Sequence, residues 1–383
     1  MNRLLALDGG GIRGMFTLGV LERIEDLLRQ RYASRKPDFV LADYFNFIGG
    51  TSTGAIIATL LSWGMRVRQI IDFYVVLGPG IFVLNRSWRI FRNLYSTRTL
   101  ERQFKMLLAE DDRSPACLGT RKLRTFLMLV MRNGTTGSVW PLTNNPLAKF
   151  NVRSPHGASN LHLPLWKLIR ASTAAPVFFP SERIDVHREE GGVEHFDFVD
   201  GGVSPYNNPS VALYLQATLP AYRIEMPTGV DKMLLISVGT GRTRTQYPPG
   251  SFSRINMIGG ALRTLRALAE SCVIEQDKIC RVLGACIHGD PIDSELETIC
   301  PADESDYSCR RFRYCRYNHL FTKEDLSRLQ RETKSRRGFA LNNIRAMELM
   351  RKIGCEYARG HVAEHHLPDG PIGEELKRPQ AGG

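Results

Sequence analysis

What this sequence lacks narrows its function before anything it contains does. No G-x-x-x-x-G-K-[ST] string occurs, which removes the usual phosphate-loop nucleotidases. None of the eight cysteines (Cys117, Cys272, Cys280, Cys286, Cys300, Cys309, Cys315 and Cys355) forms a C-x-x-C pair. Cys300, Cys309 and Cys315 with His288 also miss the spacing of common structural zinc sites, so free thiols are the plainer reading. The longest apolar stretch, 45–65, is interrupted by Gly49-Gly50-Thr51-Ser52-Thr53-Gly54, which favours a buried turn and helix over a membrane span. At the start, Leu4, Leu5, Ala6 and Leu7 run straight into Asp8 and a glycine cluster, leaving no cleavable apolar segment. The expectation is a cytoplasmic protein with reduced cysteines. Internal repeats and interdomain linkers are absent as well.

The composition present is that of a folded body with a large core: 383 residues, 43% hydrophobic and 23% charged. A formal net charge of +12 favours anionic partners, among which charge alone does not choose between phospholipid, nucleic acid and nucleotide.

Residues 2–7 read as a short apolar strand, followed by glycines and then by Met15, Leu18, Leu21, Ile24 and Leu28 at helical spacing. A second strand, turn and helix follow at 45–48, 50–54 and 55–61, and two such units predict a largely parallel sheet covered by helices. Further strands are expected at 125–131, 196–199 and 233–238, and helices over 258–282 and 323–353. This organisation predicts one domain over 1–358, helical from about 255, and a loose tail over 359–383 rich in Gly, Pro and charge.

Three short motifs carry chemistry. Gly50-Thr51-Ser52-Thr53-Gly54 matches G-x-S-x-G between a buried strand and a helix, where a nucleophilic serine needs small neighbours on a sharp turn. A glycine-rich structural turn would use the same residues. Asp8-Gly9-Gly10-Gly11-Ile12-Arg13-Gly14 can aim consecutive amides at an anion, such as the oxygen of a tetrahedral intermediate. Gly10 and Gly11 are the leading donors there, with Gly9 and Arg13 beside them. The same stretch spells G-x-G-x-x-G, but a dinucleotide fold wants an acid at the end of the next strand. Here that strand ends in Gly49-Gly50-Thr51-Ser52, and Glu22 and Asp26 fall inside the helix. Asp200-Gly201-Gly202 closes a strand; alone it is a common turn, but with a serine elbow its carboxylate can take the serine proton without a histidine. None of the nine histidines has a neighbourhood that nominates it as the base. His361-Val362-Ala363-Glu364-His365 matches the inverted zinc-peptidase pattern, but its setting beside Pro368 and Gly370 favours a solvated tail.

In the order glycine loop, G-x-S-x-G, D-G-G, the chain resembles the patatin-like phospholipase family, and the likeness extends to 43–48 and to 171–180. The resemblance implies a three-layer α/β/α sandwich with a mostly parallel sheet. It also implies a dyad of Ser52 and Asp200, an oxyanion hole at Gly9, Gly10 and Gly11, no metal and no cofactor. The implied reaction is ester cleavage in glycerophospholipids through an acyl-enzyme. Segments 131–146 and 316–318 further resemble the bacterial anti-phage members switched on by cyclic dinucleotides. A cyclic dinucleotide activator, membrane phospholipid as substrate, and attachment to the inner face of the membrane when active are therefore expected, with a homo-oligomer possible and no nucleic-acid polymer. Residues 82–102 interleave aromatics with arginines, which suits either a contact with anionic lipid or an amphipathic helix packed over the site. The rival to an enzyme is a non-catalytic lipid- or nucleotide-binding module on the same scaffold; a dinucleotide-dependent oxidoreductase comes third.

Overall fold

The structure is a computed structural model that describes residues 1–81, 98–152, 159–176, 178–187, 192–243, 257–299, 308–334, 338–340 and 342–373. The expected first two units form as β1 (Asn2–Leu7), α1 (Gly14–Tyr32), β2 (Phe47–Thr51) and α2 (Thr53–Ser62). After α3 (Val67–Ile81) and α4 (Arg98–Leu107) come β3 (Phe126–Asn133), β4 (Val139–Thr143), α5 (Leu165–Ser172), β5 (Glu182–His187) and β6 (Val193–Asp200). The chain continues through α6 (Ser210–Thr218), β7 (Met233–Val238), the short β8 (Arg242–Thr243), α7 (Met257–Leu283) and β9 (Ala285–His288). It finishes with β10 (Arg313–Tyr317), the short β11 (Leu320–Phe321), α8 (Lys323–Thr333) and α9 (Met347–His361).

One sheet runs in the order β5-β6-β3-β2-β1-β7-β10-β9, with β4 paired to β3. From β3 to β9 all neighbours are parallel, whereas β4, β5 and β6 are antiparallel. Alternation along β1 separates two cores. Leu5 and Leu7 join residues of α1, α2, α5 and α9 in one apolar cluster, while Leu4 and Ala6 join α6 and Tyr314 in another. A parallel sheet must be covered on both faces, and these two cores are what make the molecule an α/β/α sandwich.

The C-terminal region departs from the reading as a helical part. α7 covers the expected helix, but β9 and β10 then complete the sheet at its edge. Both strands are short, and β10 carries Arg313 and Arg316, so no apolar run announces it. The single helix expected over 323–353 is two helices, because Lys334 ends α8 in the left-handed conformation with φ 51°. Nor is the chain loose over 359–373: Val362, Leu367 and Ile372 are buried, and the Tyr44 hydroxyl and the Arg3 guanidinium donate to the carbonyls of Pro368 (2.8 Å) and Pro371 (2.9 Å). Three well-spaced apolar side chains suffice to dock an otherwise polar segment. Residues 374–383 and 82–97 lie outside the described residues, so the lid or membrane segment expected over 82–102 is described only from Arg98 onward, where α4 begins. No helix among the described residues is long and apolar enough to cross a membrane.

Candidate active site

Strand register brings the two candidate catalytic residues together. β2 and β4 pair with the same residues of β3, Met128 to Val130, so they lie on opposite edges of it. β4 and β6 also share partners, Met131 and Arg132, so β6 continues along the β2 edge. β2 stops at Thr51, opposite Val130; β6 arrives from the other direction and stops at Asp200, opposite Met131. Two strand ends meet head-on, and Ser52 is the next residue after one of them.

Ser52 sits at φ 55°, ψ −122°, a left-handed conformation that costs a non-glycine residue roughly 1–3 kcal/mol and persists only where the surroundings enforce it. The turn is too tight for side chains beside it. A Cβ on Gly54 would stand 2.1 Å from the Leu7 carbonyl oxygen, and one on Gly50 would stand 2.1 Å from that of Gly54. From this turn the Ser52 Oγ donates to Asp200 Oδ2 at 2.6 Å. The other carboxylate oxygen, Oδ1, accepts the Gly202 amide at 2.6 Å. Gly201 carries the chain past Val130, whose carbonyl oxygen would lie 2.4 Å from a Cβ there.

Burial pushes the Asp200 carboxyl up to about 6, against the opposing pull of the Ser52 hydroxyl, the Gly202 amide and the more distant charge of Arg170. An acid with that pKa is ionised at neutral pH yet basic enough to take a proton from serine as it attacks.

The first glycine loop lies over the serine: a Cβ on Gly9 would be 3.2 Å from Ser52 Cβ. Its members divide the labour. The Gly9 amide donates to the Asn207 carbonyl at 3.0 Å and so holds the loop. Among the described residues no hydrogen bond engages the amides of Gly10 or Gly11, and Gly11 takes φ 58°. Arg13 donates its own amide to the Gly10 carbonyl at 3.2 Å as the chain turns into α1, and Gly14 packs against Thr53. Asp8 has a different employment. Its carboxylate takes two hydrogen bonds from Arg316 (2.9 and 2.5 Å), and Arg316 also donates to Ser237 Oγ at 2.6 Å. Burial works against charge on both partners, but the two-point contact outweighs it at Arg316, whose pKa is raised above the ordinary guanidinium value by Asp8.

Several side chains at the site had no motif to announce them. Ser172 accepts the Ser52 amide, Asn207 fills the space between Gly9 and Gly202, and the Thr240 hydroxyl donates to the Gly9 carbonyl at 3.3 Å. Only Ser172 lay within a segment marked by the resemblance. The His361-Glu364-His365 pattern is occupied otherwise: His361 Nδ1 lies 2.8 Å from the Tyr357 carbonyl, at the end of α9. Among the described residues no group of three or more His, Cys, Asp or Glu side chains is placed to hold a metal ion.

A parallel sheet whose strand ends bring a serine on a strained turn, a glycine loop and a carboxylate together is an arrangement suited to α/β acyl hydrolases. The family model of patatin-like phospholipases matches residues 5–214. Patatin-2-Kuras 2 and Patatin-15 of Solanum tuberosum are 28% and 29% identical over 282 residues, covering 70% of this chain and 68% of theirs. A solved structure, that of VipD from Legionella pneumophila, aligns over 94% of this chain and 67% of its own at 13% identity with a TM-score of 0.35. The chain belongs to the patatin-like phospholipase family, and so to the lipid acyl hydrolases.

Proposed function

We propose that the protein cleaves acyl esters of membrane glycerophospholipids through Ser52 and Asp200 alone. The observation that carries this is the 2.6 Å contact between Ser52 Oγ and Asp200 Oδ2 on a strained turn. Asp200 takes the hydroxyl proton as Ser52 Oγ bonds to the ester carbon. The carbonyl oxygen gains negative charge, for which the Gly10 and Gly11 amides and the N-terminus of α2 are the candidate stabilisers. Collapse of that intermediate breaks the ester C–O bond, and the leaving alcohol recovers the proton from Asp200. Water then repeats the sequence on the acyl-enzyme and frees the fatty acid.

The resemblance of 131–146 and 316–318 extends the proposal: a cyclic dinucleotide activates the enzyme in anti-phage defence, at the inner face of the membrane. The net charge of +12 suits both an anionic activator and an anionic bilayer. The test is fatty-acid release from phosphatidylethanolamine and phosphatidylglycerol vesicles, with and without a panel of cyclic dinucleotides. Ser52→Ala is expected to lower release by about 10⁶-fold, with Asp200→Ala adding little to it in the double variant. Equal release by wild type and both variants would remove the dyad. Release that ignores every cyclic dinucleotide would remove the activator and leave the dyad standing.

A further inference from the structure

We propose that Ser172 is a positioning residue for the nucleophile, a role that rests on the Ser52–Asp200 reading above. It is the last residue of α5 and fully buried, and its hydroxyl forms two hydrogen bonds. Ser172 Oγ donates its proton to the Val130 carbonyl at 2.6 Å and accepts the Ser52 amide at 3.0 Å. A hydroxyl has one proton to give, so the bond to Val130 turns its lone pairs toward Ser52.

This contact addresses a specific weakness of the elbow. Ser52 is held at φ 55°, and a strained residue relaxes unless its neighbours determine its backbone. The carbonyl of Ser52 is fixed by the Ala55 and Ile56 amides at the start of α2, so the orientation of its own amide is the remaining freedom. Ser172 removes that freedom. Two residues later the carbonyl of Ala174 accepts the Asp200 amide at 3.0 Å. The run from Ser172 to Ala174 therefore grips the backbones of both proposed dyad members, and Val130 ties that run to β3, the strand along which their two strand ends meet. Ser172 acts on the reaction through Ser52 and touches no substrate.

The test compares Ser172→Ala with wild type by fluorophosphonate labelling, under the condition giving the wild type its highest labelling rate, and by turnover on the same vesicles. Labelling stoichiometry counts competent sites, and the rate constant per site reports the geometry of each. The expected result is a per-site labelling rate and kcat lower by roughly 10- to 100-fold with KM little changed, because displacing a nucleophile costs chemistry before binding. Ser172→Thr, which keeps the hydroxyl, should recover most of the rate. If the alanine variant folds poorly, Ser172→Cys preserves volume while replacing the hydroxyl by a weak hydrogen-bonding thiol, and should show the same per-site loss. A merely structural role would instead reduce the number of labelled sites and leave each working normally, and that result overturns the proposal. Ser52→Ala in parallel separates the two readings. If it labels like wild type, the dyad falls and this inference with it; if it fails to label while Ser172→Ala and Ser172→Cys keep the wild-type rate, only this inference falls.

Discussion

Two aspartates end two strands of one sheet, both buried, and they have opposite surroundings. At the end of β1, Asp8 faces Arg316 across a two-point ion pair. At the end of β6, Asp200 has no ion pair among the described residues; it has a hydroxyl, one amide, and Arg170 acting through space. Burial raises the Asp8 pKa too, against the pull of Arg316, but both of its carboxylate oxygens are held by that guanidinium, so Asp8 suits architecture. Asp200, which has lost water without gaining a cation, is pushed up to about 6 and suits proton transfer. Desolvation is common to both; the presence of a cation distinguishes them.

The sharpest way to break this contrast is to remove each negative charge while keeping shape. Asp200→Asn should lower vesicle hydrolysis by several orders of magnitude, about 10⁴-fold if it behaves as loss of the carboxylate does in other serine hydrolases. Its thermal stability should be unchanged or higher, since a buried charge without a cation is gone. Asp8→Asn should do the reverse to the fold, costing about 3–5 kcal/mol by leaving Arg316 buried and unpaired, as read by denaturant unfolding. Replacing both partners, Asp8→Leu with Arg316→Met, should recover much of that loss. If Asp8→Asn were stable and Asp200→Asn unfolded, the assignment of roles would be reversed.

The same contrast shows how much could be read from the sequence. β1, α1, β2 and α2 were legible because apolar periodicity and glycine punctuation change together at Asp8 and at Gly49. Ser52 and Asp200 were legible as motifs. Their meeting was implied by the family resemblance and not by the residues themselves, because it depends on β6 taking over the β2 edge of β3, a register set by contacts far along the chain. Asp8 was read with the anion loop because its neighbours are glycines, whereas its partner Arg316 lies 308 positions away. That pairing also hid β10, since an arginine within a short run argues against a buried strand until its counter-ion is known. The described part of the tail, 359–373, was misread for a related reason: Val362, Leu367 and Ile372 are too far apart to register as a pattern, yet each finds a buried place.

A third carboxylate sharpens the rule away from the proposed chemistry. Glu25, on α1, accepts the Val67 amide at the start of α3 with both oxygens (3.1 and 3.2 Å) and has no ion pair among the described residues. Burial pushes it up from 4.5 to about 7. A raised acid stabilises the fold fully below its unfolded pKa, and that contribution is lost as pH rises through the folded one. The Glu25 contribution is therefore present below pH 4.5 and gone above about 7. Glu25→Gln keeps an acceptor for Val67 and should flatten this part of the stability profile, becoming the more stable protein above about pH 7 in denaturant titrations at several pH values. An unchanged slope would mean that absence of a cation does not set the pKa of these carboxylates.

The smallest effect tests Arg170, the cation among the described residues whose charge reaches Asp200. Arg170 is buried on α5, its Nη2 stands 3.8 Å from Glu182, and its charge lowers the Asp200 pKa without contact. On the proposed mechanism Asp200 must be ionised to take the serine proton, so kcat/KM should rise with pH through a limb centred at about 6. Arg170→Met should move that limb upward, because desolvation then acts with less opposition. Activity at pH 8, where Asp200 is ionised in both proteins, should fall far less than activity at pH 6. A limb that stays in place while activity drops equally at both pH values would show that Arg170 only packs α5 against β5. The contrast between the two strand ends would then rest on the Asp8 pair and Glu25 alone.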